Sequence, residues 1–79
     1  MNAPTRIFEA SMSNIERQHR TRVLERAFEV LESEERALAW LNQTSPALGD
    51  VTPASLLATE GGTERVLYEL GQIEYGHPV

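Results

Sequence analysis

His19 and His77 are the only histidines in this 79-residue sequence, and histidine is the residue type most used for acid–base and metal chemistry. Neither has a second ligand at the four-residue spacing that would set two donors on one helical face, and they stand far apart along the chain. His19 therefore reads as a solvated helix residue. The twelve carboxylates follow helix-surface spacing: Glu25 and Glu29 are four apart, and so are Glu60 and Glu64. A catalytic carboxylate pair needs burial to pull its two pKa values apart, and nothing local to these glutamates suggests it. Gly61-Gly62-Thr63 carries the glycines of a phosphate loop but lacks the preceding strand and the lysine. No serine sits in a nucleophile elbow. With no cysteine in the chain, disulfides and thiolate metal sites are excluded. These residues assemble no acid–base constellation, so no enzyme, metal or cofactor is expected.

Recognition is the function class left, and charge narrows it. The net charge is -5, with seven arginines and no lysine. Six arginines, Arg6, Arg17, Arg20, Arg22, Arg26 and Arg36, lie in the first half. The second half sets Arg65 alone against Asp50, Glu60, Glu64, Glu69 and Glu74, one positive against five negative, or net -4. Such a half repels the phosphate backbone that nucleic-acid binders must neutralise, and it suits a basic pocket on a protein. No stretch approaches the ~20 apolar residues of a membrane span, and no signal-peptide pattern follows Met1, so a cytoplasmic soluble protein is expected. A domain this small buries only about 60% of its unfolded surface, which favours stability borrowed from a partner, in an oligomer or a complex.

The elements that would position any binding residues are helices. Residues 1–13 read as a tail whose only large apolar groups before Met12 are Ile7 and Phe8. A helix is predicted over 14–31, capped by Ser13 with Glu16 three residues on. Its buried stripe is Leu24, Ala27, Phe28 and Leu31, and its polar first half, Arg17 to Arg22, projects from the domain or meets a partner. A second helix covers 34–42, capped by Ser33, with Ala37, Leu38, Trp40 and Leu41 on its apolar side. Trp40 reads as core on spacing alone. The stretch 43–51 is a loop, marked by Ser45-Pro46 and Gly49-Asp50 and anchored by Leu48. Thr52-Pro53 opens a short third helix over 54–58, with Leu56 and Leu57 inward. Thr59 caps a last helix to about 75, buried along Gly62, Val66, Leu70 and Ile73. Gly62 and Gly71 inside that helix call for a reason, and close helix contact is the plain one. Gly76 stands at a helix C-cap position, and His77-Pro78-Val79 leaves as a tail. No period-two alternation appears. The expected fold is therefore all-α, a small compact bundle of about four helices with no sheet.

Residues Ala37, Trp40-Leu41, Pro46-Ala47-Leu48-Gly49, Thr52-Pro53, Leu56-Leu57, Thr59, Gly62, Val66, Leu70, Ile73-Glu74 and Tyr75-Gly76 keep a fixed register over a loop and two helices. In them the segment 37–76 resembles the C-terminal toxin-binding domain of the Xre/MbcA/ParS antitoxins. The resemblance implies that residues 14–79 form a helical domain that binds a RES-domain toxin, one that degrades NAD or ADP-ribosylates a target. It also implies that the C-terminal end covers the toxin's active site. On spacing alone Tyr75 to Val79 is a frayed terminus; with the resemblance Tyr75, Gly76, His77, Pro78 and Val79 become the blocking segment. A pocket for NAD must favour a diphosphate, so the acidic second half is complementary in sign. The candidate partner-binding set is these five residues with Trp40, Arg65, Glu69 and Glu74. Family members usually carry a helix-turn-helix region ahead of this domain, and the thirty-odd residues here are too short for one. Direct DNA binding is therefore not expected, while a homodimer and a hetero-oligomer with the toxin are. The competing readings are an autorepressor that uses the Arg17 to Arg26 helix, and a dimerisation module without a toxin.

Overall fold

Each α-helix among the described residues begins at a side-chain hydroxyl, as the sequence predicts. The computed structural model describes residues 13–76; the expected tail with Ile7 and Phe8, and the segment His77, Pro78 and Val79, lie outside the described residues. Helix α1 spans Asn14–Leu31, and the Ser13 hydroxyl accepts the Glu16 N–H at 3.0 Å. It stops at Glu32, which adopts the left-handed region at φ 59° and returns its N–H to the Phe28 carbonyl. Ser33 then caps α2, Glu34–Leu41, at once, so the two helices are joined by a two-residue turn. The loop beyond closes on itself: the Ser45 N–H donates to the Val51 carbonyl, and Gly49 sits at φ 90° where a side chain would be strained. Thr59 caps α3, Glu60–Glu74, by accepting the Gly62 N–H at 3.0 Å.

The expected third helix is a single 3-10 turn, Pro53–Leu56, and a second such turn, Pro46–Leu48, lies inside the loop. Among the described residues the bundle thus has three α-helices where about four were expected. The reason is length: four residues between Thr52 and Leu57 have no room for an i to i-4 ladder, so the turn closes at i to i-3 instead. Among the described residues there is no strand, only one isolated bridge between Ser45 and Val51.

The core joins Val23 and Ala27 of α1, Ala37 and Leu41 of α2, the loop anchor Leu48, Leu57, and Val66 and Leu70 of α3. Leu24, Leu31, Trp40, Leu56 and Ile73 pack half-buried around it, and Pro53 is buried. Helix α1 packs on both α2 and α3. Its buried line is His19, Val23 and Ala27. Of the expected stripe Leu24, Ala27, Phe28 and Leu31, Ala27 is buried and Leu24 and Leu31 pack half-buried against the core, while Phe28 turns outward. Phe28 is 53% exposed and is not a core residue. Replacing Phe28 with Ser is accordingly expected to change stability by less than about 0.5 kcal/mol. A urea titration checks this, and a loss near 2 kcal/mol would return Phe28 to the core.

Gly62 and Gly71 part company. A Cβ on Gly62 would lie 2.1 Å from the Leu56 carbonyl oxygen, so the expected close approach is real, though its partner is the 3-10 turn. A Cβ on Gly71 would meet nothing within 4 Å, so helix contact does not explain that glycine.

Candidate partner-binding site

The outer side of α3 carries the most exposed aromatic residues among those described. Tyr68 is 69% exposed and Tyr75 is 83% exposed. They are seven residues apart, two helical turns, so they lie on one line. The same line holds Gly61, Arg65 and Gln72, directly opposite the buried row Thr63, Val66 and Leu70. Between α3 and the loop lies an open depression of about 530 Å³ lined by Ala47, Gly61, Glu64, Arg65, Tyr68 and Glu69, among others. Arg65, Glu69 and Glu74 of the expected set therefore lie on α3 and Tyr75 at its C-cap, and Arg65 and Glu69 border this depression.

The remaining expected residues are placed elsewhere. Trp40 is half-buried on α2, which packs chiefly against α1 and the 3-10 turn at Pro53–Leu56. Glu74 turns back to α1, where both oxygens approach the Arg26 guanidinium; Arg26 also meets Glu29 at 3.0 Å. Hydrogen bonds to Glu74 first and Glu29 second hold the Arg26 pKa above its ordinary value. Tyr75 closes α3 by donating its N–H to the Gly71 carbonyl, and Gly76 follows at φ 63°, the left-handed C-cap that the sequence predicts.

His19 contradicts its expectation as a solvated residue. It is 6% exposed, with Nδ1 2.7 Å from the Leu57 carbonyl oxygen and Nε2 3.1 Å from Glu60 Oε1. Arg22 stands 3.7 Å from the other Glu60 oxygen. Glu60 is solvated, as its spacing predicts, and it also ties α1 to the start of α3. With both ring nitrogens occupied by protein, His19 fixes the α1–α3 junction. Among the described residues no group of three or more His, Asp or Glu is placed to hold a metal ion, and no helix is long and apolar enough to cross a membrane.

A second exposed feature was not anticipated either. Leu24, Phe28, Ala37 and Leu38 floor an open groove of about 650 Å³ between α1 and α2, and Glu25, Glu29 and Glu34 rim it. Tyr68 and Gly61 were missed as well. The spacing 61, 65, 68, 72, 75 was available to find them, but it runs along the polar side of a helix whose apolar side draws the eye.

A family model described as the antitoxin Xre/MbcA/ParS C-terminal toxin-binding domain matches residues 26–76. The match covers well over half of the chain and takes in the last turns of α1, all of α2, both 3-10 turns and α3. It begins within α1, earlier than the resemblance at 37–76 suggested. No curated protein and no solved structure shows a match. The chain therefore belongs to the Xre/MbcA/ParS antitoxin family, and its helices α2 and α3 with the turns between them form that family's C-terminal toxin-binding domain.

Proposed function

We propose that this chain neutralises a RES-domain toxin, one that consumes NAD or ADP-ribosylates a target, by covering the toxin's active site with residues 75–79. The supporting observation is at the end of α3: Tyr75 is 83% exposed, and Gly76 in the left-handed region turns the chain off the helix axis. The residues proposed to block are thereby joined to the end of a packed helix, and Pro78 restricts the backbone that must be ordered in a cleft, which lowers the cost of binding. The excess of acid over base in α3, four glutamates and one arginine, suits a pocket built to hold a diphosphate. The complex belongs in the cytoplasm, where NAD is consumed, as a hetero-oligomer of chain and toxin. The autorepressor reading has less support, because Arg22 and Arg26 of the arginine-bearing helix face the carboxylates of Glu60 and Glu74.

Co-expression with the product of the adjacent gene tests this. The neighbour alone is expected to deplete cellular NAD or stop growth, and the full chain to bind it and restore both. A chain ending at Gly76 is expected to keep its fold and lose the rescue. If the shortened chain rescues as well as the full one, residues 77–79 are not the blocking segment. If the two proteins neither associate nor affect each other, the neutralisation reading is wrong.

A further inference from the structure

We infer that the outward line of α3, Gly61, Arg65, Tyr68, Gln72 and Tyr75, is the face on which the toxin seats, with Tyr68 as its central anchor. This rests on the antitoxin reading above and extends it from the chain's end to a full helix face.

The composition of that line is what a solvent-facing helix avoids. Such a surface is ordinarily filled with charged, strongly helix-forming side chains. Here its middle position is Tyr68, 69% exposed, and its end is Tyr75 at the C-cap, 83% exposed, with Gly61 on the line and Gly71 beside it. Neither glycine has a reason inside the chain. A Cβ at either would meet nothing within 4 Å, whereas the Cβ of Gly62 would strike the Leu56 carbonyl oxygen at 2.1 Å. Gly61 and Gly71 thus weaken the helix without improving its packing, which close approach of another molecule's backbone would explain. Tyrosine suits the same purpose. It brings a flat apolar body ordered by two torsions and a hydroxyl that stays hydrogen-bonded when covered, and with arginine it is enriched at binding hot spots.

The occupant follows from position and charge. Helix α3 lies wholly within the segment matched as a toxin-binding domain. The line is continuous with Tyr75, from which the proposed blocking segment departs, so a toxin engaged by that segment is carried along the helix. From Gly61 to Tyr75 the face runs about 21 Å at 1.5 Å per residue, a strip that forms one part of an interface of ordinary size. Glu64 and Glu69 flank Tyr68 and complement a basic rim. The groove between α1 and α2 is carried by a different pair of helices.

The test is the affinity of the full chain for the co-purified toxin, measured with Tyr68→Ala, Gly61→Leu and, on the other face, Phe28→Ser. Tyr68→Ala is expected to weaken binding at least about 30-fold and Gly61→Leu at least about 10-fold, with melting temperatures unchanged and Phe28→Ser binding as the parent does. Hydrogen exchange on the unaltered complex is expected to slow within residues 61–75. Binding by both α3 variants within about three-fold of the parent, or loss with Phe28→Ser alone, would overturn the inference and leave the antitoxin reading standing. If the α3 variants instead abolish self-association and leave toxin affinity intact, the face is a dimer interface and the inference is equally overturned. Failure of the unaltered chain to bind the toxin would remove the antitoxin reading, and the inference with it.

Discussion

Gly62→Ala is expected to destabilise the fold by about 3 kcal/mol, a large share of the roughly 4–12 kcal/mol that holds a chain of this length. The added Cβ would lie 2.1 Å from the Leu56 carbonyl oxygen, and 3.0 Å from both the Leu56 carbonyl carbon and the Thr59 hydroxyl. None of these is the far end of a flexible side chain. Two are backbone atoms of the 3-10 turn, and the third is the cap that accepts the Gly62 N–H. Relief requires the turn at Pro53–Leu56 to move away from α3, which loosens the cap and unseats Leu57, itself buried to 1% exposure. The same substitution at Gly71 is expected to stabilise the chain by up to about 1 kcal/mol, because it gains helix propensity in open space. Urea titrations of the two variants should therefore move in opposite directions. A Gly62→Ala midpoint equal to the parent's would show that the turn and α3 are not held together as closely as the geometry has them.

His19→Ala is expected to cost about 3 kcal/mol, although the residue is polar and lies on the arginine-rich half of α1. Two losses add. The imidazole is 6% exposed, so its removal leaves a gap beside the core. The Leu57 carbonyl, 2.7 Å from Nδ1, loses a partner in a buried place. The Glu60 contact adds less, since that carboxylate is 63% exposed and in contact with water. Glu60→Gln should therefore lower stability by under about 1 kcal/mol, and comparison of the two melts separates the buried bond from the exposed one. Equal losses in the two would show that the Glu60 contact dominates. Both His19 and Gly62 act at the junction where α1, the 3-10 turn and α3 meet. Loosening it releases the first turn of α3, so both variants should also weaken toxin neutralisation in cells through a smaller folded fraction.

These residues show where sequence reading succeeds and where it stops. The caps at Ser13, Ser33, Thr52 and Thr59 were legible because each is closed by a hydroxyl and an N–H three residues on. Leu48 was legible as the loop's anchor because it is the one large apolar residue between two turn signals. The family was legible because its motif residues keep fixed spacing across such local elements, and residues 26–76 match it. His19 was not legible. Nothing within its own helix reveals that Leu57 and Glu60, 38 and 41 residues away, converge on its ring.

Phe28 and Gly71 fail for the same reason as His19. A helix sequence states its period and its ends, but the rotation of the helix about its own axis is set by what packs against it. For α1 those partners are α2 and α3 together, and the residues it buries are His19, Val23 and Ala27. By itself, then, the sequence determined a helical acidic domain, its capped boundaries and its family. Tertiary structure decided which side of each helix is inside, which glycine meets backbone and which stands open, and that Tyr68 and the C-cap Tyr75 are both left on the surface. Those are contacts between residues far apart in the chain, and only the fold brings them within a few ångströms of one another.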